Sequence, residues 1–150
     1  MEQRRLKLLI DTNVLLDVVC PDNRPSANAS ACILKAIKDG YLEGELSTLS
    51  IMDAAYVASQ TEGCMVEKFR CKIVELSTFI NIDSMDYFSM MQAVKDCTGD
   101  FEDDAQFAFA YNTGCDIVLT GDKGFHARSG GKSPHIRFFT PEAFLAEISS

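Results

Sequence analysis

The sequence predicts an α/β fold, a three-layer α/β/α sandwich around a mostly parallel central sheet. Short apolar runs bounded by charged or turn-forming residues alternate with longer segments whose apolar residues recur at helical spacing. Such alternation is typical of folds in which helices cover both faces of a parallel sheet. No linker, repeat or low-complexity segment interrupts the chain, so residues 1–150 are predicted to form a single domain.

The positions of strands and helices follow from the apolar spacing and from the residues that end each run. In chain order, the predicted elements are a strand at 6–10, a helix at 26–38, a strand at 46–49, helices at 50–60 and 66–79, a strand at 80–82, helices at 84–98 and 101–111, strands at 117–119 and 136–139, and a helix from 141 onward. Residues 14–19 continue the first apolar run. The segments 20–25 and 121–134 contain turn-forming residues and are predicted to be loops.

Polar side chains at the starts of the predicted helices are expected to cap them. Ser50 is a predicted N-cap, with Asp53 three residues later at the capping-box position. Ser84, Asp100 and Thr140 are predicted N-caps of later helices.

The net charge of −8 and the isoelectric point of about 4.7 count against a nucleic-acid-binding protein, because phosphate contacts normally require a basic surface. Two considerations soften this argument. Carboxylates that bind metal cations would be partly neutralised, and the basic residues gather in three places. These groups are Arg4, Arg5 and Lys7; Lys68, Arg70 and Lys72; and Lys123, Arg128, Lys132 and Arg137. Acidity therefore weakens the nucleic-acid interpretation without excluding it.

The six cysteines form no CxxC pair, so neither a zinc site nor a disulfide framework is predicted. Cys32, Cys97 and Cys115 lie in apolar stretches and are predicted to be small buried residues. Every apolar run is interrupted by charge before it reaches membrane-spanning length. The first run ends at Asp11, too early for the core of a signal peptide, and we expect a cytoplasmic protein with no membrane partner.

Acidic residues follow two of the predicted buried strands. Asp11 ends the first apolar run, Asp122 follows the strand at 117–119, and an acidic segment at 100–104 opens a helix. In open α/β sheets, ligand sites lie beyond the carboxyl ends of the strands, so these side chains are expected to meet. Carboxylate oxygens suit hard divalent cations and chemistry on phosphates.

Each acidic residue also has a purely structural explanation. Asp100, Glu102 and Asp103 could serve as helix-capping and first-turn acids favoured by the helix dipole, and Asp53 as a capping-box partner. Asp11 is harder to explain in this way, because an acid beside a buried strand costs desolvation free energy.

Four segments in chain order resemble the motifs of the PIN-domain family, in its VapC-like bacterial ribonuclease branch. They are LIDTNVLLD at 9–17, DFED at 100–103 followed by Gln106, GCDIVLTGDKGF at 114–125, and TPEAFL at 140–145. The resemblance implies a PIN-like fold and a Mg²⁺- or Mn²⁺-dependent endoribonuclease. It also implies an RNA substrate and, in the toxin–antitoxin branch, an antitoxin-type inhibitory protein and a homodimer as partners.

Carried over by position, the resemblance assigns Asp11, Asp103 and Asp122 as metal ligands and catalytic residues. Asp53 would be the fourth catalytic acid, at a position where the family usually has the longer Glu. Asp104 stands where a small apolar residue is usual. The supporting polar residues would be Asn13, Asp100 and Thr120. The basic residues beyond the last motif that could contact substrate phosphates are Lys123, Arg128 and Lys132.

Two other functions stay open. A non-catalytic PIN-like scaffold that binds proteins is favoured by the acidity and by Asp53, and opposed by the complete set of four acids. A haloacid-dehalogenase-like phosphatase shares the Asp11 and Asp122 surroundings, but that family needs a second Asp where this chain has Asn13.

Overall fold

The computed structural model describes residues 3–150 and is built around a five-stranded, all-parallel sheet. In chain order its elements are β1 (Lys7–Ile10), α1 (Thr12–Val19), α2 (Ala27–Lys38), β2 (Glu43–Ser47), α3 (Thr48–Gln60), α4 (Val66–Leu76), β3 (Asn81–Asp83), α5 (Tyr87–Asp96), α6 (Phe101–Asn112), β4 (Ile117–Leu119), α7 (Lys123–Ser129), β5 (Arg137–Phe139) and α8 (Pro141–Ile148). The strand order is β3-β2-β1-β4-β5. On the two sides of the central strand β1, Leu9 pairs with Glu45 of β2 and with Val118 of β4.

Side chains on the two faces of the sheet enter two separate cores. Leu8 and Ile10 point into the larger core, which is covered by α1, α2, α3, α4 and α8. Leu9 points to the opposite face, where it packs with Phe107 and Phe109 of α6 and Phe125 of α7. This alternation follows from the period of two in a strand, which sends successive side chains to opposite faces. The predicted three-layer α/β/α fold with a parallel sheet is confirmed.

Two helices of the structure were absent from the prediction. Residues 14–19, predicted only to continue the first apolar run, belong to α1 (Thr12–Val19), and residues 123–129, predicted as loop, form the short helix α7. Helix α7 has too few apolar residues to show a helical pattern. Its start is stabilised by the Asp122 side chain, which accepts hydrogen bonds from the backbone amides of Gly124 (2.8 Å) and Phe125 (3.2 Å).

Some predicted boundaries are wrong because a nearby polar residue supplies the cap instead. Ser47, rather than Ser50, caps α3 by accepting a hydrogen bond from the Ser50 amide at 3.2 Å. The helix therefore begins at residue 48 within the predicted second strand, and Asp53 is no capping-box partner. Asp86, rather than Ser84, caps α5. Helix α4 ends at residue 76 instead of 79 for a different reason, because residues 77–79 form tighter turns, in which the Thr78 and Phe79 amides donate to the carbonyls of Glu75 and Leu76.

The predicted caps Asp100 and Thr140 are confirmed. The Asp100 carboxylate accepts from the Asp103 amide at 3.0 Å, and the Thr140 hydroxyl accepts from the Ala143 amide at 3.1 Å. Asp100 therefore fixes the entry of the acidic segment into α6.

The cysteine predictions are partly wrong. Cys20, at the end of α1, forms a disulfide with Cys64, in the loop before α4, with a Cα–Cα distance of 5.7 Å. Their separation of 44 residues gave no signal in the sequence. Cys115 is buried as predicted, whereas Cys32 and Cys97 are exposed.

Within residues 3–150, no helix combines the length and the apolar character needed to cross a membrane.

Candidate functional site

The carboxyl ends of the neighbouring parallel strands β1 and β4 place Asp11 and Asp122 side by side. The Asp11 amide donates to the carbonyl of Leu119 at 3.1 Å, which continues the pairing one residue past β1. The Thr120 hydroxyl donates to Asp11 Oδ2 at 2.7 Å and accepts from the Asp122 amide at 3.0 Å. Thr120 therefore links the two acidic positions across the ends of the strands.

Asn13 forms a second link between the same strand ends. Its Nδ2 donates to Asp11 Oδ2 at 3.2 Å and to the Thr120 hydroxyl at 3.3 Å, while its Oδ1 accepts from the Gly121 amide at 2.9 Å. All polar atoms of its amide side chain are thus engaged in fixing the site. Asn13 and Thr120 were predicted to be supporting polar residues of the site, and that role stays a prediction.

Behind Asn13 lies an ion pair, between the partly exposed Arg24 and the buried Asp17, that was not predicted from the sequence. Arg24 donates to the Asn13 carbonyl at 2.8 Å and to Asp17 Oδ1 at 2.7 Å. The buried Asp17 also accepts from the Ser30 hydroxyl at 2.6 Å. The loop after α1 is therefore anchored directly against the backbone of a site residue.

Asp11 is buried, and this burial is the main reason its pKa rises to about 6. Hydrogen bonds from Thr120 and from the backbone of Thr12 oppose the rise, and the negative charges of Asp103 and Asp122 add to it. Asp11, Asp103 and Asp122 are therefore close enough for their charges to act on one another.

Asp103 and Asp100 lie at the N-terminus of α6, and their charges also act on this group of acids. Burial raises the pKa of Asp103, a hydrogen bond from Arg128 opposes the rise, and the charges of Asp100 and Asp122 add to it. The N-terminus of a helix favours negative charge, which offsets part of the cost of gathering these acids.

Glu102 is a site residue that the predictions left out, and it meets Asp53 on α3. Burial, contact with the Asp53 carboxyl, and the charges of Asp11 and Asp100 raise the pKa of Glu102 to about 7. Asp53 Oδ2 is buried without a hydrogen-bond donor among residues 3–150. A buried carboxylate oxygen without a donor costs free energy, and a bound cation would offset that cost. The place of Glu102 in the acidic segment at 100–104 was its only signal in the sequence.

The three predicted phosphate-binding residues have different surroundings. Arg128 contacts Asp103 and lies 3.7 Å from Asp100. Lys132 is directed away from this centre, because its ammonium lies 2.8 Å from Asp104 and 3.4 Å from Asp96. Lys123 is exposed at the start of α7 and forms no ion pair with any acid within residues 3–150.

Asp104, unusual for its motif position, has a structural role. Its buried carboxylate accepts from the Thr98 amide at 2.9 Å and from Lys132 Nζ at 2.8 Å. Burial alone would raise the pKa of Asp104, but these bonds outweigh it and hold the pKa below its usual range. Asp104 therefore joins Thr98, in the connection between α5 and α6, to Lys132, in the segment after α7.

Residues 3–150 contain no preformed group of three His, Cys, Asp or Glu side chains at metal-binding geometry. The residues present nevertheless fit Mg²⁺ or Mn²⁺ in chemistry. Their donors are all carboxylate oxygens, Asp53 Oδ2 lacks a partner, and Mg²⁺ needs only one or two direct carboxylates besides water. Binding at Asp103 would require Arg128 to move.

The fold and the site define an α/β/α protein with a carboxylate centre at the ends of two parallel strands. The family described as PIN domain matches residues 7–124, most of the chain, and the protein therefore belongs to the PIN-domain family. This confirms the resemblance found in the sequence motifs.

Solved structures share the fold at low sequence identity. VapBC2 from Rickettsia felis, bound to a promoter DNA fragment, matches with a TM-score of 0.64 and 10% identity, over 90% of this chain and 98% of that one. VapC20 from Mycobacterium tuberculosis, described as a toxin that cleaves the sarcin-ricin loop, matches with a TM-score of 0.64 and 12% identity, over 80% and 93%. A toxin–antitoxin complex from Klebsiella pneumoniae matches with a TM-score of 0.61 and 18% identity, over 89% and 97%. No curated protein matches the chain.

Proposed function

We propose that this protein is a Mg²⁺- or Mn²⁺-dependent endoribonuclease of the toxin type, with residues 1–150 as a single PIN domain. The observation that carries the proposal is the hydrogen-bonded link from the Asp11 carboxylate through the Thr120 hydroxyl to the Asp122 amide, with the charges of Asp103 and Asp122 acting on Asp11. The buried carboxylates of Asp11 and Asp103 and the exposed carboxylate of Asp122 repel one another, and a divalent cation removes that repulsion.

Asp11, Asp103 and Asp122 are the proposed direct ligands. Asp53 and Glu102 lie beside them as a carboxyl pair and are suited to hold cation-bound water. When bound, the cation would supply a water of lowered pKa and screen negative charge on the scissile phosphate. Thr120 and Asn13 hold the Asp11 carboxylate in place, so it keeps its position as charge changes around it.

The substrate would approach through an open cleft of about 290 Å³ whose charged and amide lining residues are Asn13, Asp17, Asn23, Arg24 and Asp122. The exposed Lys123 follows Asp122 in sequence. Amide and guanidinium donors on the walls suit a phosphate backbone better than an apolar ligand. We propose products with a 5′-phosphate and a 3′-hydroxyl, as the family resemblance implies.

The proposal includes a protein partner of the antitoxin type. One similar structure is a toxin–antitoxin complex, and large apolar side chains are exposed on two helices of this chain. Met52 and Tyr56 lie on α3, and Tyr87 and Phe88 lie on α5. These surfaces could receive the inhibitor or a second copy of the chain.

The proposal is tested by cleavage of a panel of single-stranded RNAs with Mn²⁺ or Mg²⁺. Wild type is compared with the double variant Asp11→Asn/Asp103→Asn and with Asp39→Asn, which changes an exposed acid on α2's C-terminal cap. We expect cleavage by wild type and Asp39→Asn, loss in the double variant, and loss with chelator. Circular dichroism checks that each variant is folded.

Absence of cleavage together with absence of Mn²⁺ binding by calorimetry would refute the proposal. The second candidate function, a non-catalytic protein-binding scaffold, would then be preferred. It is favoured by the Arg128 guanidinium on Asp103 and by the lack of a preformed three-residue metal group within residues 3–150. The phosphatase alternative finds no general acid at position 13, where the Asn13 amide is engaged in linking the strand ends.

A further inference from the structure

A basic side chain lies among the acids of the candidate metal centre. Arg128, in the last turn of α7, donates from Nη2 to Asp103 Oδ2, and the same nitrogen lies 3.7 Å from Asp100 Oδ2. The negative charge of Asp122 also acts on it. One guanidinium therefore contacts Asp103 and lies near Asp100, and the charge of Asp122, a second proposed cation ligand, also acts on it.

The backbone of α7 makes room for this guanidinium. A Cβ atom added at Gly124 would lie 2.9 Å from Arg128 Nη1 and 3.1 Å from Asp122 Oδ1, closer than such atoms normally approach. The side chain therefore runs over Gly124 and lies between Asp122 and the acids of α6. The guanidinium therefore occupies space beside two of the proposed cation ligands, Asp103 and Asp122.

We propose that Arg128 is an internal competitor of the divalent cation: its guanidinium holds Asp103 in the cation-free protein and leaves when a cation binds. This inference rests on the proposed function. A guanidinium does not lose its proton in proteins, so it cannot yield its place by becoming neutral. Two cations at one carboxylate repel each other, so the divalent cation and the guanidinium compete for Asp103.

The surroundings of Arg128 allow that movement. Its side chain is 33% exposed, whereas the Asp103 side chain is only 12% exposed, so the guanidinium can swing into solvent while the carboxylate stays in place. Once released, its planar donors suit two oxygens of a phosphate group. The phosphate contact predicted for Arg128 would thus become available only after the cation has bound.

A permanent structural role makes the opposite prediction. If Arg128 stayed on Asp103 to orient it for the cation, removing the guanidinium would weaken cation binding. If it competes, removal strengthens binding. The sign of the change in affinity decides between the two roles and requires no RNA substrate.

The test is calorimetric titration of the full chain with manganese chloride. We expect Arg128→Ala to bind Mn²⁺ about tenfold more tightly than wild type, a modest factor because the ion pair is partly exposed. Arg128→Gln, which keeps a long polar side chain without the charge, should also bind Mn²⁺ more tightly than wild type. The control Lys68→Ala removes one positive charge from the exposed surface of α4, outside the candidate site, and its Mn²⁺ affinity should stay within about twofold of wild type.

Thermal unfolding gives a second readout. Without cation, Arg128→Ala should melt below wild type, and the rise in melting temperature on adding Mn²⁺ should be larger in the variant. Unchanged or weaker Mn²⁺ binding by both Arg128 variants would overturn the inference while leaving the cation site intact. If wild type and both variants bind no Mn²⁺, the proposed cation site fails and the competition fails with it.

Discussion

Replacing Asp11 by Asn should abolish the proposed cation site and at the same time stabilise the cation-free protein. Asp11 is buried, and the charges of Asp103 and Asp122 act on it, so its ionised form is unfavourable in the fold. The amide of Asn is neutral and nearly the same shape. Its oxygen can still accept the hydrogen bond that Thr120 donates at 2.7 Å.

The magnitude follows from the pKa, which is about 6 in the folded protein against an ordinary value of 3.8. At 1.36 kcal/mol for each pH unit, ionisation of Asp11 costs the folded state about 3 kcal/mol above pH 6. Because a neutral acceptor gives Thr120 a weaker hydrogen bond, we expect a net gain of about 2 kcal/mol in the free energy of unfolding. For a chain of 150 residues, that gain corresponds to a melting temperature higher by about 4–8 °C.

The pH dependence has a definite sign. Asp11 binds its proton more tightly in the folded state, so wild type loses stability relative to the variant as pH rises from about 4 to 6. Below pH 4 the carboxyl is protonated in both states, and the advantage of the variant should vanish.

The assay is urea unfolding with chelator present, at pH 4 and at pH 7.5, for wild type, Asp11→Asn and the exposed control Asp39→Asn. The free energy of unfolding of the control should stay within about 0.5 kcal/mol of wild type at both pH values. Adding Mn²⁺ should stabilise wild type and leave Asp11→Asn unchanged. A variant that is less stable than wild type at pH 7.5, or a difference that does not depend on pH, would refute the electrostatic argument.

Three further predictions test other parts of the structure. Glu102→Gln should weaken Mn²⁺ binding in calorimetry about tenfold, because it removes one carboxylate of the pair with Asp53. Asp104→Asn should lower the free energy of unfolding by about 2 kcal/mol at pH 7, because it leaves the Lys132 ammonium without its closest acid. This loss should shrink as pH falls below about 4, since the lowered pKa of Asp104 contributes stability only while the carboxylate is ionised. Reduction of the Cys20–Cys64 disulfide, which closes a 44-residue separation, should lower stability by up to about 4 kcal/mol, measured by unfolding with and without dithiothreitol.

Each of these predictions has its own control. Glu142→Gln changes an exposed acid on α8 and should leave Mn²⁺ affinity unchanged; equal affinities for Glu102→Gln and wild type would remove Glu102 from the site. Asp104→Asn should keep its Mn²⁺ affinity, and a large loss would show that Asp104 belongs to the metal centre. For the disulfide, the variant Cys20→Ser/Cys64→Ser should be insensitive to dithiothreitol, and equal stability of wild type with and without the reductant would contradict the assignment.

Features that depend only on residues close together in the chain could be predicted from the sequence. The apolar run before Asp11 and the strand at 117–119 were predicted because three or four consecutive apolar residues need burial on both faces of a parallel sheet. The meeting of Asp11 and Asp122 followed from a general property of such sheets, whose ligand sites lie beyond the carboxyl ends of the strands. Asp100 was a correct N-cap because its position before an acidic first turn is a local signal.

The start of a helix was predicted wrongly where either of two residues could serve as its N-cap. Ser47 and Ser50 can both cap a helix, and the sequence alone does not rank them. Packing decided for Ser47, whose buried hydroxyl also donates to Gln106 Oε1 on α6 at 3.1 Å. The shift of three residues moved the start of α3 into the predicted strand.

Contacts between distant segments were decided only by the tertiary structure. Glu102 faces Asp53, Arg128 reaches Asp103, Asp104 is buried against Lys132, and Cys20 meets Cys64. Each pairing depends on how two helices or loops are oriented on the sheet, and local apolar spacing does not encode that orientation. The amino-acid pattern therefore determined which acids lie at the ends of the strands, whereas the packing of α3, α6 and α7 decided what neutralises them.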